Sequence, residues 1–550
     1  RPRGRRSESV RWHPMNYPLV CRLLGHVAWL IGGTMLFSLP WAWPSWGGQE
    51  AVEWGGLYAL LGSTMVCGFV GTALQLLGRT ADGVLYRKEA MAVVGLSWVL
   101  ATVLGALPYW MSATGLKWAD AQKVEPQRMS LVDCLFESQS GFSTTGATVL
   151  TDIEDAALVP RCILFWRSST HFLGGLGIIV LFVAVLGHGS AGKALMRTEM
   201  PGPSKEGSQA RMQHTAWTFA AIYVILNAVL AILLKLEGPL TADGKMSWFD
   251  ALCHAFGTMA TGGFSTYNAS VGHFDSPAID YTIVLFMFLA GTNFTLLYLA
   301  SIGRPARLFA DVEWRTYTAI VVGVTCLLMS VALLGYNDFH PANGESRWAE
   351  FTNALRYVLF QVVSIVTTTG FGTHDFDAWN HAARALLFLL MFVGGCAGST
   401  GGGMKVIRHI LFLKILRLEV EQSFHPEVVR HVRLGGEPIT DPDLRRQILV
   451  YFGLITFIFM ASWIALVTIE SDATWVDRGH PLSNKLVDSA SAVAATLNNI
   501  GPGVGAVGAA ENYAAFSSPA KLMFVFLMML GRLELFAILV LLVPGFWRAR

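Results

Sequence analysis

Long apolar runs alternate with short polar segments along most of the chain. Each run is long enough to cross a bilayer as a helix, which takes about 20 residues. Ten such runs begin near Cys21, Trp54, Ala90, Cys162, Trp217, Tyr281, Thr316, Ala385, Ile448 and Leu522. The pattern predicts an all-α integral membrane protein with ten transmembrane helices.

The amino-acid composition is also that of a membrane protein. Of the 550 residues, 53% are apolar and only 14% are charged, whereas an ordinary soluble domain carries about 25% charged residues. The seven cysteines stand singly in apolar surroundings, without the close pairs of zinc sites or disulfide scaffolds, so we interpret them as small core residues. A net charge of +2 gives no reason to expect a nucleic-acid partner.

The distribution of lysine and arginine predicts the orientation of the chain. If the amino terminus is cytoplasmic, loops on that side hold roughly two thirds of the basic residues, as the positive-inside rule requires. The first apolar run lacks a convincing cleavage site, so we expect it to be a retained helix. An even number of crossings then returns the carboxyl terminus to the cytoplasm.

Four short Gly-rich loops recur, each before a long apolar run. They are Ser143–Ala147, Ala260–Phe264, Thr367–Phe371 and Asn498–Pro502. Irregular backbone at membrane depth is tolerated where it lines a cavity or is buried in protein. A ring of backbone carbonyls can replace the water around a dehydrated monovalent cation. Four similar loops in one chain therefore predict a pseudo-fourfold pore.

The spacing of these loops divides the chain into an accessory segment and four helix–pore loop–helix repeats. Residues 1–80 form a basic amino terminus and an accessory helix pair. The repeats span residues 87–190, 212–305, 314–435 and 445–550, and the third carries a broken inner helix and a cytoplasmic extension. This period is too long for a solenoid but suits two crossings and a re-entrant loop.

A short pore helix is predicted before each Gly-rich loop. Asp133, Asp250 and Asp488 each stand thirteen residues before the glycine of their loop, where we expect them to cap the helix amino terminus. In the third repeat Asn353 is the predicted cap, which makes that helix one turn longer. The carboxyl ends of the four helices would then direct partial negative charge toward a cation.

The inner helix of the third repeat contains six glycines within residues 394–403. Glycine costs up to about 1 kcal/mol relative to alanine in a helix, so this stretch is predicted to be a loop inside the membrane. A close helix–helix crossing built on small residues is the alternative.

Arg532 lies near the middle of the last apolar run. A charge at that depth costs roughly 3 to more than 10 kcal/mol unless it faces water or a partner. We therefore expect Arg532 to face a cavity. A structural pair with a carboxylate or with helix carbonyls is the alternative interpretation.

Three segments carry a resemblance to a known family: Phe360–Phe371, Gly394–Lys405 and Gly531–Leu535. With these motifs the chain resembles the superfamily of Trk, Ktr and HKT potassium transporters, and most closely the bacterial Trk-type pore subunit. The resemblance covers nearly the whole chain, including the accessory helix pair.

The resemblance implies a selectivity filter and a gate. The filter residues would be Thr144, Thr145, Gly146, Thr261, Gly262, Gly263, Thr368, Thr369, Gly370, Asn499, Ile500 and Gly501. The gate would comprise Gly398, Ser399, Thr400, Gly401, Gly402, Gly403 and Arg532. In relatives that prefer sodium the first-repeat glycine is often serine, so Gly146 implies potassium uptake, with potassium as the transported ion and no covalent cofactor.

The resemblance also implies partners and a location. These are a cytoplasmic nucleotide-binding regulatory subunit, a homodimer and the lipid bilayer of the bacterial inner membrane. The chain has no phosphate-binding motif of its own, so nucleotide sensing would belong to the partner. The charged segment from Lys405 to Arg446 is either a docking surface for that subunit or a loop that obeys the orientation rule.

Two alternative functions stay open from the sequence. One is a weakly selective sodium or mixed-cation transporter, and the other is a membrane enzyme or receptor on the same scaffold. An enzyme is disfavoured because the fourteen histidines are dispersed, with no H-E-x-x-H motif or defensible triad. Proton symport would require a titratable group along the path, and the sequence offers no obvious candidate near the filter, so channel-like and coupled transport both stay open.

Overall fold

Over the residues that the structure describes, the chain folds as a bundle of helices with two short pairs of strands. The computed structural model describes residues 15–81, 86–117, 127–186, 209–333, 347–426, 433–435, 437–438, 442–476, 478–533 and 535–548. The basic residues 1–14, and residues 427–432 of the charged cytoplasmic segment, lie outside the described part.

The first half of the chain supplies the accessory pair and two repeats. Its helices are α1 Tyr17–Met35, α2 Pro44–Gly47, α3 Trp54–Leu77, α4 Arg87–Met111, α5 Leu131–Phe142, α6 Arg161–Leu186, α7 Gln209–Glu237, α8 Trp248–Met259, α9 Pro277–Ala290, α10 Phe294–Ser301 and α11 Ala306–Ala310. Strands β1 Gly115–Leu116 and β2 Gln127–Arg128 pair antiparallel, with Gly115 opposite Arg128. In this half α1 packs along α3, and both contact α4.

The second half supplies the other two repeats. Its helices are α12 Val312–Leu333, α13 Arg347–Val366, α14 His381–Leu390, α15 Val406–Phe424, α16 Pro442–Ile469, α17 Ala473–Val476, α18 Lys485–Leu497, α19 Ser518–Arg532, α20 Phe536–Leu539 and α21 Pro544–Trp547. Strands β3 Arg433–Leu434 and β4 Glu437–Pro438 form the second pair. Short 3-10 turns connect several of these helices.

Helices occupy all ten places where the apolar runs predicted them. Among the described residues, six helices are long and apolar enough to cross a membrane, and a seventh span is added if α9 and α10, bent by 106°, count as one. The predicted all-α membrane fold is confirmed. The count of ten crossings and the repeat boundaries remain predictions.

The helices at the positions of the four predicted pore helices are α5, α8, α13 and α18, and the N-caps observed for α5 and α8 differ from the predicted ones. Ser130 and Ser247 are the N-caps of α5 and α8, and their hydroxyls accept the backbone N–H of Asp133 and Asp250. The aspartates therefore occupy the first turn, because a serine three residues earlier takes the cap in an S-x-x-D pattern.

The N-caps predicted for the third and fourth of these helices are also wrong. Asn353 lies inside α13, which has 20 residues against 12 in α5, so this helix is about two turns longer than the first. Asp488 lies in the first turn of α18, and its carboxylate accepts a hydrogen bond of 3.0 Å from the indole of Trp475.

Inner helices are interrupted just after they pass the pore helices. In the second repeat, α9 and α10 bend at residues 291–293. In the third, residues 391–405 separate α14 from α15, and in the fourth, Leu535 takes a left-handed φ of 69° between α19 and α20. The predicted break at residues 394–403 is present, whereas the breaks in the second and fourth repeats lie in runs that the pattern predicts to be continuous.

Candidate ion pathway

The four Gly-rich loops share one backbone conformation. Each glycine falls four residues after the end of its pore helix. The glycines have φ of 81°, 76°, 82° and 96° at Gly146, Gly263, Gly370 and Gly501. The residues two positions earlier are also left-handed, with φ of 51°, 53°, 59° and 56° at Thr144, Thr261, Thr368 and Asn499. A non-glycine residue is rarely left-handed, so its recurrence at one position of all four loops is a structural repeat.

The loops close into a ring, each glycine facing the next loop. A methyl group added to Gly146 would lie 2.2 Å from the carbonyl oxygen of Gly262, and one on Gly263 would lie 2.0 Å from that of Thr369. The cycle continues with 1.9 Å from Gly370 to the oxygen of Ile500 and 2.4 Å from Gly501 to that of Thr145. Each contacted carbonyl belongs to the residue before the next glycine. The four chain segments therefore surround one axis, with no room for side chains at the glycines.

Backbone N–H groups of the loops point back to the pore helices. The residue before each glycine donates to a carbonyl five residues earlier: Thr145 to Ser140, Gly262 to Gly257, Thr369 to Ser364 and Ile500 to Ala495, all at 2.8–2.9 Å. Because these donors are satisfied within the helix end, the loops present carbonyls to one another across the ring. The carbonyl of Gly501 differs in accepting the Tyr513 hydroxyl at 2.8 Å. Such a ring is suited to a cation and not to an anion.

Side chains of the fourth loop depart from the pattern of threonines. Asn499 donates from Nδ2 to the hydroxyl of Thr145 at 2.9 Å and to the carbonyl of Met528 at 2.8 Å. The amide thereby connects the fourth loop to the first loop and to its own inner helix. Asparagine tolerates the left-handed region better than most residues.

The interrupted inner helix of the third repeat contacts the underside of the ring. The N–H of Gly402 donates to the Thr368 hydroxyl at 2.6 Å. The Thr400 hydroxyl donates to the carbonyls of Met259 and Ala290, at 3.0 and 3.2 Å. This helix-break loop, residues 391–405, therefore touches the second and third repeats at once.

Arg532 holds the helix-break loop from the fourth repeat. Arg532 is 5% exposed, and its guanidinium donates to the carbonyl of Thr400 at 2.7 Å and to that of Gly174 at 3.2 Å. These contacts are of the kind expected from the alternative interpretation, a structural pair with backbone carbonyls, whereas the cavity-facing role stays a prediction. Its position connects the first, third and fourth repeats.

Three charged residues of this site were missed by sequence reasoning. The ammonium of Lys405 donates to the carbonyl of Gly401, and the Glu313 carboxylate accepts the N–H groups of Ala397 and Ile407 at 2.8 and 3.0 Å. Lys521 pairs with Asp133 at 2.6 Å. Each stands at or near the beginning of a helix, just before apolar residues, and a charge beside a membrane-length run is the signal that could have identified it.

A carboxylate outside the spans predicts a pH effect on stability. Asp377 accepts the N–H of Gly505 at 2.9 Å and pairs with Arg384 at 3.2 Å. Burial raises the pKa of Asp377 to about 6. The folded protein then binds more protons than the unfolded chain between about pH 4 and pH 6, so stability falls as pH rises through that window.

We expect Asp377→Asn to remove this contribution to the pH dependence. When the pH rises from 4.5 to 7, the thermal midpoint of the variant should fall by about 1–2 °C less than that of the wild type. Thermal unfolding in detergent measures it, with Glu50→Gln, at an exposed carboxylate, as the control. An identical pH slope in wild type and Asp377→Asn would contradict the prediction.

Comparison with known proteins gives the family. Residues 60–547 match the TrkH family, described as cation transport protein. The Trk system potassium uptake protein TrkH of Halomonas elongata is 36% identical over 543 residues, which cover 97% of this chain and all of that protein. TrkH of Escherichia coli K12 is 34% identical over 539 residues, with the same coverage.

A solved structure supports the same assignment. The crystal structure of the potassium transporter TrkH from Vibrio parahaemolyticus matches with a TM-score of 0.79 and 31% identity, covering 97% of this chain and all of that one. A match over the full fold sets aside the membrane enzyme and receptor alternatives. The chain therefore belongs to the TrkH family of cation transport proteins, which are multi-span membrane transporters and not enzymes.

Proposed function

We propose that this protein takes up potassium through a selectivity filter formed by the four Gly-rich loops. The main support for the proposal is that the glycine of each loop lies against a carbonyl of the next loop, and that the fourth loop returns to the first. The relatives described above are named potassium uptake proteins. The filter residues are the twelve named from the sequence, from Thr144 to Gly501.

A carbonyl ring transports a cation by replacing its hydration shell. Each loop brings one glycine and the carbonyl before it to the ring, so four equivalent oxygens face one site. The loop conformation is fixed by hydrogen bonds to the pore helices, which means that the site is formed before the ion arrives. No covalent chemistry is needed, and potassium is the cargo.

We propose that the helix-break loop and Arg532 gate this pathway. The loop contacts three parts of the bundle through Thr368, Thr400 and Arg532. Gly398 and Gly403 have φ of 71° and 61°, so the loop can change its backbone angles at positions without a side chain. A fixed positive charge beneath the ring would also repel a resident cation.

The proposal extends to partners and orientation. Helix α15 exposes Leu413, Leu416, Val420 and Phe424 at three- and four-residue spacing, which places them along one face. We propose that this face contributes to a homodimer in the inner membrane. We also propose that both termini are cytoplasmic, as the distribution of lysine and arginine predicts, and that a nucleotide-binding regulatory subunit docks on the charged segment from Lys405 to Arg446. Crosslinking of Phe424→Cys in native membranes tests it, and a monomer-only pattern would contradict the dimer.

Ion flux into proteoliposomes tests the proposed function. Purified protein should carry potassium in preference to sodium down an imposed gradient, with empty liposomes as the control. Equal sodium and potassium flux would support the mixed-cation alternative instead. A dependence of flux on a proton gradient would identify symport, which the filter alone does not require.

Thr368→Val should weaken the closed gate. The substitution keeps side-chain volume but removes the acceptor for the Gly402 N–H. A hydrogen bond contributes about 1 kcal/mol, so we expect basal potassium flux to rise about fivefold. Thr316→Val is the control, because within the described part of the chain its hydroxyl bonds only the carbonyl of Val312, in its own helix. Equal flux in both variants would remove Thr368 from the gate.

A further inference from the structure

The first pore helix carries a fully buried carboxylate that no filter or gate assignment uses. Glu137 is 0% exposed and stands nine residues before Gly146. It accepts hydrogen bonds from the Thr148 hydroxyl at 2.9 and 3.1 Å and from the Val149 N–H at 3.0 Å. Both donors lie in the segment that leaves the first Gly-rich loop. The carboxylate therefore fixes that segment to the pore helix.

A buried arginine extends this contact to the second loop. Arg167, on the inner helix of the first repeat, donates from Nε to Glu137 at 2.6 Å. Its Nη1 donates to the carbonyl of Ser265 at 3.0 Å, and its guanidinium carbon lies 3.5 Å from the ring centre of Phe264. Phe264 and Ser265 directly follow Gly263. The Glu137–Arg167 ion pair thus contacts the segments that directly follow the first and the second Gly-rich loops.

A histidine one helical turn along supports the same loop. The ring of His171 stacks on Phe264, with centroids 4.0 Å apart and planes 16° apart. A Cβ at Gly262 would lie 2.4 Å from His171 Nδ1, so the second loop packs directly against this ring. Arg167 and His171 therefore both contact residues in or directly after the second Gly-rich loop.

This ion pair breaks the fourfold repetition of the pore. At the position nine residues before the filter glycine, the other repeats carry His254, Gln361 and Ala492. His254 makes a contact of 2.9 Å between Nε2 and the Ser265 hydroxyl, so it converges on the residue whose carbonyl Arg167 binds. Only the first repeat has a carboxylate at this position.

We infer that Glu137 and Arg167 are positioning residues that hold the first and second filter loops at a fixed separation and thereby set the ion preference. This rests on the proposed function of the loops. A carboxylate with a cationic partner and two further donors is satisfied in a buried site. Removing either charge leaves the other unpaired in an apolar interior, and the two loops are the parts that can move in response. The distance between their carbonyls then changes, and that distance determines which cation fits.

The test compares matched neutralisations of buried carboxylates. Glu137→Gln removes the charge beside the filter, and Asp280→Asn removes one that pairs with Arg356 at 2.6 Å and has no hydrogen bond to a Gly-rich loop among the described residues. The readout is the concentration of potassium, and separately of sodium, that gives half-maximal thermal stabilisation of the purified protein. The ratio of the half-maximal sodium concentration to the half-maximal potassium concentration reports the preference for potassium, which a merely structural role would not change.

We expect Glu137→Gln to reduce this ratio about tenfold and Asp280→Asn to lower the thermal midpoint with the ratio kept. Thr148→Val, which removes one donor and keeps the ion pair, should reduce the ratio by a smaller factor and decides the matter if Glu137→Gln does not fold. A wild-type ratio in folded Glu137→Gln, or in Thr148→Val when only that variant folds, would overturn the inference. A wild type without potassium preference would overturn the proposed function itself.

Discussion

Replacing Gly370 by serine will remove most of the preference for potassium over sodium. The φ of 82° is strained for any residue with a Cβ, at about 1–2 kcal/mol. The new Cβ would also lie 1.9 Å from the Ile500 carbonyl oxygen, a distance that forces the third and fourth loops apart. We expect the potassium-to-sodium flux ratio in proteoliposomes to fall at least about tenfold, because about 1.4 kcal/mol of lost discrimination has that effect.

A glycine two residues away supplies the matched control. A Cβ at Gly372 would meet only Ala509, at an ordinary contact distance of 3.4 Å. Gly372→Ala should therefore keep the wild-type flux ratio. Gly370→Asp should abolish potassium flux, since it adds bulk and charge at the same point. Retained selectivity in folded Gly370→Ser would remove the third loop from the filter.

Replacing Arg532 by alanine will raise the potassium flux. The guanidinium connects the helix-break loop, through Thr400, to Gly174 of the first repeat. Its removal both releases the loop and deletes a positive charge beneath the ring. Lowering the barrier by about 1.4 kcal/mol would raise flux about tenfold. Initial rates of rubidium or potassium uptake into proteoliposomes measure this effect.

Arg532→Lys separates the two contributions. Lysine keeps the charge but has one ammonium in place of a fork that reaches two carbonyls. If repulsion of the ion dominates, the lysine variant should transport like the wild type. If the two carbonyl bonds dominate, it should transport like Arg532→Ala. Unchanged flux in all variants would contradict a role for Arg532 in the gate.

The two effects differ in kind because the ring and the loop are stabilised differently. The Gly-rich loops are held by short backbone bonds to the pore helices and by direct contact with one another. The helix-break loop has backbone bonds to the bend of the second repeat, such as that from the Cys396 N–H to the Gly291 carbonyl at 2.9 Å, and is otherwise held by single side chains such as Thr368 and Arg532. Changes in the ring should therefore alter selectivity, whereas changes at the loop should alter the rate.

Much of the candidate site could be predicted from the sequence because it depends on local patterns. Apolar runs of bilayer length located the helices, and four glycines at similar spacing located the loops. The left-handed φ at these glycines is a local property that glycine makes possible. The break after Gly394 followed from glycine content alone.

Two local features were predicted wrongly although the sequence holds their signal, and contacts between residues distant in the chain could not be predicted. The capping aspartates were misassigned because a serine three residues earlier was the better cap. The length of α13 was underestimated because its amphipathic pattern continues before Asn353. Charges such as Glu137 and Lys405 could be identified in or beside apolar stretches, but their partners could not.

By itself, the sequence determined the membrane class, the helix positions and the fourfold recurrence of the loops, because hydrophobicity and glycine content act over short distances along the chain. Only the tertiary structure decided that each glycine meets the carbonyl of the next loop, that Arg532 bonds Thr400, and that Glu137 and Arg167 lie between two loops. The members of these pairs are 30 to 356 residues apart in the chain. Their contacts arise from packing of the repeats, which no local pattern encodes.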